Sequence, residues 1–406
     1  MRILIISTFF PPVAFGGYEV ECSGVVERLR EAHEVQVLTS AGGSAAAPEP
    51  GVRRALPYLT PDPRGALRAP AAAMTGARIA RELLRSPPDL VYVWNGSEIP
   101  QSVLRIIADA ALPMAVRVCE HWFAQLFTAD QFLRELIPGR RAAPRAAWAT
   151  VCRAVNRHPS LRLEPLAPVR LAISWNSAAI RRMAPAPAFV DIVLEETQHS
   201  VPRWGDLFDG VVRRPGPGRE IVFVGRVTPY KGVDVAIEAL ARLRSGPVAD
   251  ARLTVIGPED GDHGDQLRRR AQELGVGSAI TWLGPQTPTA TADALAGAAA
   301  LIVPSVWDEP FPLVTIEGAL ARVAVVASDV GGVAEGLRDE EHALLFARRD
   351  ADGAARALAR VFTEPQASAE RVRRAYAHAQ RYRLAPYLDE QVAFVTRAHR
   401  ALTRAR

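Results

Sequence analysis

Asp308-Glu309-Pro310-Phe311-Pro312-Leu313-Val314-Thr315-Ile316-Glu317-Gly318 follows the apolar run Ala300 to Ser305. A short apolar run, a proline-rich turn and a hydrophobic stretch in that order predict strand, loop and helix. Glu309 falls on the loop and Glu317 within the first two turns of the helix, eight positions on. A helix start carries unpaired N–H groups and a partial positive charge, so anions bind there. An anion site beside two carboxylates suits a ligand with phosphates at one point and hydroxyls at another. A nucleotide sugar has that constitution.

The same alternation of apolar run and helical pattern recurs along the chain, in two series. The first comprises Arg2 to Ser7, Glu34 to Thr39, Asp89 to Trp94, Ala115 to Glu120, Leu171 to Ser174 and Asp191 to Leu194. The second comprises Glu220 to Gly225, Arg252 to Gly257, Ala279 to Gly284, Ala300 to Ser305, Val323 to Ser328 and Leu344 to Phe346. Two parallel-sheet α/β domains are expected: residues 1–200 together with a C-terminal helix at 384–406, and residues 220–383. The polar stretch 201–219, rich in Pro and Gly, reads as the linker between them. Open sheets of this kind bind ligands outside the carboxyl ends of their strands, which is where most of the motifs below fall.

Length and composition agree with this reading. A chain of 406 residues exceeds one ordinary core. With 49% hydrophobic and 23% charged residues it is globular rather than disordered. A formal charge of +5, mostly arginine excess, permits phosphate or an anionic membrane surface and does not call for nucleic acid. Cys22, Cys119 and Cys152 are odd in number and lack metal-like spacing, so a reducing, cytoplasmic setting is expected. No run reaches the ~18 apolar residues of a spanning helix. The Ala-, Arg- and Pro-rich composition suggests a bacterium of high GC content.

After the run ending at Gly225 comes Gly225-Arg226-Val227-Thr228-Pro229-Tyr230-Lys231-Gly232, then a helical pattern. Arg226 can fork onto phosphate oxygens, and Lys231 brings a compact charge to the same anion. Such cations stabilise a departing diphosphate as its charge grows. The plainer alternative is a strand-to-helix turn with solvated charges.

Gly225-Arg226 with Lys231-Gly232, Val255-Ile256-Gly257, the Glu309 and Glu317 pair, and Gly331-Gly332-Val333-Ala334-Glu335 stand in a specific order and spacing. In these motifs the chain resembles the retaining glycosyltransferases of GT-B fold, the sucrose-synthase-like and mannosyltransferase-like family. The resemblance spans nearly the whole chain and is strongest from Glu220 to Phe346. It implies two Rossmann-like domains facing across a cleft, with a C-terminal helix crossing back. Arg226 and Lys231 would hold the donor diphosphate, Glu317 the ribose hydroxyls and Glu309 the donor sugar. The base would lie near Pro285, Gln286 and Thr287. Phe311, Pro312, Leu313 and Val314 would line the donor. Pro312 stands where the family more often has Gly and removes one backbone N–H; an altered sugar preference is expected. The implied reaction moves a sugar from a nucleoside diphosphate donor, UDP favoured, to a hydroxyl with retention and without a metal or other cofactor.

Gly16-Gly17 opens a helix after the first strand and would approach donor phosphates and acceptor. In the resembling enzymes a His after the fourth run contacts the donor sugar, and His121 takes that place. Asp260-Gly261-Asp262 mimics a metal motif but sits in a polar loop, where solvated surface is the better reading. The basic stretch from Arg140-Arg141 to Arg170 suits an anionic acceptor, a peripheral membrane contact or simply solvent. Rival readings are an epimerase or glycosyl phosphorylase of the same fold, and a non-catalytic nucleotide-sugar-binding protein. Acceptor identity and oligomeric state are not legible.

Overall fold

A computed structural model describes all residues except 14–16, 43–47, 61, 140–142, 210–218 and 405–406. The chain divides into two compact units, Met1–Gln198 with Leu388–Arg406, and His199–Tyr387. Each is a parallel sheet with helices, as its alternating pattern predicts.

In the first unit the described strands are β1 (Arg2–Ser7), β2 (Glu34–Ser40), β3 (Val52–Leu56), β4 (Leu90–Val93), β5 (Met114–Val118), β6 (Val169–Trp175) and β7 (Val190–Thr197). Their order is β3-β2-β1-β4-β5-β6-β7, parallel throughout. Central strands such as β4, Leu-Val-Tyr-Val, are buried at every residue, as sheets covered on both faces require. β3 was not expected from the sequence. Val52-Arg53-Arg54-Ala55-Leu56 has two arginines that break its apolar run, which an edge strand tolerates because it is only half-buried. The C-terminal helix Leu384–Arg404 contributes its residues from Leu388 onward to this unit. Phe394, Val395, Ala398 and Leu402 are its buried stripe, and Gln391 is also fully buried. Tyr92 Oη donates to Gln391 Oε1 at 2.8 Å, and Gln391 Nε2 donates to Gln198 Oε1 at 2.8 Å. These bonds satisfy polar groups that burial would otherwise penalise.

In the second unit the strands are β8 (Glu220–Val224), β9 (Arg252–Ile256), β10 (Ile280–Gly284), β11 (Ala300–Val303), β12 (Ala324–Ser328) and β13 (Leu344–Phe346). Their order is β10-β9-β8-β11-β12-β13, again parallel. The chain winds outward from β8 to β10 and then returns to lay β11 beside β8. The loops after β8 and β11 therefore leave the sheet side by side in opposite senses, at a topological switch point where open sheets hold ligands. A core of Ile221, Phe223, Val255, Leu240, Ile302, Val326 and Leu358, with others, lies beneath.

Candidate functional site

The two switch-point loops are pressed together, and the sequence allows it at one residue. Gly232 has φ +69°, and a Cβ there would lie 2.0 Å from the Pro304 carbonyl oxygen. Tyr230 carbonyl accepts from the Val306 N–H at 2.9 Å, a second tie between the loops. This brings Lys231 to the stretch quoted first: Lys231 Nζ donates to Glu309 Oε1 at 2.6 Å. Glu309 is buried, with 3% of its surface exposed, whereas the lysine side chain keeps 23%. Two of the three ammonium protons have no acceptor among the described residues.

The loop bearing Glu309 is fixed from three sides. Ser305 Oγ donates to Glu309 Oε1 at 2.5 Å. The Gly332 N–H donates to the Glu309 carbonyl at 2.7 Å. Gly331, at φ +53°, leaves room that a Cβ would fill at 2.1 Å from the same oxygen. Phe311, buried, packs on His199 at 4.8 Å and on Tyr382 at 5.6 Å between ring centres. His199 Nε2 lies 3.4 Å from Glu335 Oε2, so the Gly331–Glu335 motif bears on the loop twice.

Pro312 caps the helix Leu313–Leu320 without a side-chain bond, and the Leu313 and Val314 N–H groups have no acceptor among the described residues. They are free to meet an anion. Glu317 is half-buried on the same helix, and no described residue bonds its carboxylate. Burial pushes its carboxyl up from the ordinary 4.5 to about 7. Arg226 is exposed, its guanidinium 5.7 Å from the Tyr230 ring centre; Tyr230 meets Trp307 edge-on at 5.3 Å, and Lys231 Nζ lies 6.0 Å from Trp307. Two cations thus flank a pair of rings across both loops.

Pro285, Gln286 and Thr287 form the exposed turn after β10. Gln286 Nε2 donates to the Leu283 carbonyl at 2.8 Å, and Thr287 Oγ1 caps the helix Pro288–Gly297. In the first unit, Gly17 begins the helix Gly17–Arg30 and His121 begins the short turn His121–Gln125 after β5. Gly16, Arg140 and Arg141 lie outside the described residues. Among those described, no group of three or more His, Cys, Asp or Glu is placed to hold a metal ion. The three cysteines are free and buried, and no described helix is long and apolar enough to cross a membrane. Ser305, Tyr230 and Trp307 were missed by the sequence reading.

The family described as glycosyl transferases group 1 matches residues 208–379. D-inositol 3-phosphate glycosyltransferase of Acidothermus cellulolyticus is 36% identical over 174 residues, 41% of this chain and 38% of that protein. The chain thus aligns with well under half the length of this curated relative. Among solved structures, Anabaena HepE in complex with UDP and glucose superposes with a TM-score of 0.65 at 18% identity, over 96% of this chain and 98% of that one. Sucrose-phosphate synthase of Thermosynechococcus elongatus gives 0.68 at 17% identity, with both chains fully covered. These likenesses show the fold: two parallel-sheet α/β domains of GT-B type.

Proposed function

We propose that this chain, a GT-B protein carrying a glycosyl transferases group 1 domain at residues 208–379, transfers a sugar from a nucleoside diphosphate donor to a hydroxyl acceptor with retention of configuration. The observation that carries the reading is the Lys231–Glu309 contact at the switch point, with spare ammonium donors and two free N–H groups at the adjacent helix start. Arg226, Lys231 and the N–H groups of Leu313 and Val314 bind the diphosphate and take up its charge as it leaves. Glu309 receives a hydroxyl of the donor sugar, and Glu317 receives the ribose hydroxyls. The base sits at Pro285 to Thr287. UDP is the favoured nucleotide because HepE, over nearly its whole length a structural likeness, is bound to UDP and glucose.

The reaction is displacement on one face of the sugar. The bond from the anomeric carbon to the diphosphate oxygen breaks, the acceptor oxygen bonds to that carbon from the same side, and the leaving diphosphate takes the acceptor proton. His121 contacts the sugar, and Gly16 and Gly17 approach phosphate and acceptor. No protein nucleophile and no metal or other cofactor enters the scheme. The acceptor is a small molecule, natural product or glycan bearing a free hydroxyl.

The test is a thermal-shift panel of nucleotide sugars, followed by nucleotide release with and without acceptor hydroxyls. A ligand that binds the folded form raises Tm. A UDP-sugar that does so, and whose UDP is released only with acceptor, supports transfer; the product anomer, read by NMR, reports retention. No Tm shift with any nucleotide sugar sinks the reading.

A further inference from the structure

Ser305 ends the polar side of the β11 loop with 1% of its surface exposed, and it touches the loop carboxylate directly. Its Oγ and Lys231 Nζ both donate to the same atom, Glu309 Oε1, at 2.5 and 2.6 Å. Oε2 receives no donor from any described residue. The two anchors differ in what a donor does to them. A diphosphate competes for the ammonium of Lys231, which is partly open to solvent. It cannot draw Ser305, whose backbone carbonyl is itself held by Ser328 Oγ at 2.6 Å beneath the loop. A carboxylate freed of its anchors turns broadly about its last torsion.

We propose that Ser305 is a positioning residue for the transfer: it keeps Glu309 turned with Oε2 toward the donor sugar once Lys231 has been claimed by the diphosphate. The proposal rests on the donor-binding reading above. It assigns Glu309 to the sugar through one oxygen, with the other retained by the protein. Because the role begins when the donor arrives, it falls on turnover and not on nucleotide affinity.

The experiment compares Ser305→Ala, Ser305→Thr and Ser102→Ala with the wild type, using the best donor from the panel for kcat and UDP alone for Kd. Ser305→Ala is expected to lower kcat about tenfold or more, the weight of one hydrogen bond to a charged group. Its Kd for UDP stays within about twofold of the wild-type value. Ser305→Thr, which keeps the hydroxyl, restores most of the turnover. Ser102→Ala removes an equally buried hydroxyl, bonded to the Ala73 carbonyl in the first unit; it lowers Tm without the kcat loss. Wild-type kcat in Ser305→Ala, or equal kcat losses in Ser305→Ala and Ser102→Ala, overturns the proposal alone. A wild type that binds no nucleotide sugar overturns the parent reading and this with it.

Discussion

Two charge pairs stand at the carboxyl ends of the two sheets, and they are built oppositely. In the first unit Arg117 of β5 meets Glu21 of the helix Gly17–Arg30, Nη2 to Oε1 at 3.0 Å, with side chains 0% and 2% exposed. The guanidinium also donates to Ser174 Oγ at 2.9 Å and to the Gln198 carbonyl at 2.7 Å. In the second unit Lys231 and Glu309 make the shorter contact, yet the lysine is partly open and most of its protons are unclaimed. A sealed pair spends its hydrogen bonds on the fold, whereas a half-open one leaves protons that a ligand could meet. If the proposed function holds, the contrast separates residues whose loss unfolds the protein from residues whose loss lowers turnover.

The largest expected effect breaks the sealed pair. Arg117→Met leaves Glu21 charged and buried without its cation, which costs about 3–5 kcal/mol. Urea unfolding should show the drop, and adding Glu21→Leu should restore part of it, since an apolar pair of similar volume avoids both desolvation costs. If the single substitution leaves stability untouched, the pair is not structural and the contrast collapses.

The half-open pair should fail in the other direction. Lys231→Ala is expected to reduce turnover by about 10²-fold or more, the scale of losing one donor to developing charge, with a smaller loss of stability than Arg117→Met because the lysine is partly open and Ser305 still donates to Glu309. Lys231→Arg should recover little, because a planar fork does not occupy the space of a compact ammonium at 2.6 Å from Glu309. The sequence supplies a second assay. Lys231 is the one lysine among 49 basic residues, so an amine-selective reagent has that side chain and the N-terminal amine as its targets. UDP should slow labelling of Lys231 and leave the terminus unaffected. Equal labelling with and without nucleotide would remove Lys231 from the site.

Lys231 was legible from its place in the Gly225–Gly232 stretch; that it is the chain's one lysine was a signal the sequence reading left unused. In a chain whose other 48 cations are arginines, a lysine beside a switch-point glycine marks a place where arginine does not serve. Twelve of the thirteen described strands were legible, most of them as apolar runs of buried parallel sheet; β3 was not, because Arg53 and Arg54 interrupt its run at the sheet edge. Arg117 was hidden for the converse reason. It lies inside the apolar run Met114–Val118, and period alone cannot distinguish a buried, fully bonded guanidinium from an exposed one. Ser305 looked like the polar end of a strand. Its bond to Glu309 depends on a loop turning back over four residues, a geometry that spacing does not encode. Pairing across loops, as between Tyr230 and Trp307, is likewise set by the sheet order and not by neighbours in sequence.

His121 gives a smaller test in the first unit. Exposed at the start of its short turn, it should tolerate Ala with little loss of stability. If it contacts the donor sugar, His121→Ala lowers turnover about tenfold while UDP affinity survives, a loss within the range of positioned proton-transfer and contact groups. Normal turnover would remove His121 from the site.

The smallest effect is a pH dependence, and its sign is what makes it useful. Burial holds the Glu317 carboxyl at about 7 against an ordinary 4.5, so the folded, ligand-free protein retains a proton that the unfolded chain has lost. Stability from this group is therefore fully present below pH 4.5 and is lost as pH rises to about 7. Nucleotide binding should run the opposite way. If ribose hydroxyls donate to the charged carboxylate, as proposed, affinity rises with pH up to about 7 and then levels, by at most about tenfold per unit for one linked proton. Glu317→Gln carries no titrating group and should flatten both slopes, with UDP affinity measured by calorimetry and Tm followed across the same range. If the affinity slope survives the substitution, the titrating group lies elsewhere on the site and Glu317 does not meet the ribose; if the stability slope alone disappears, its raised pKa is a cost of burial with no part in binding.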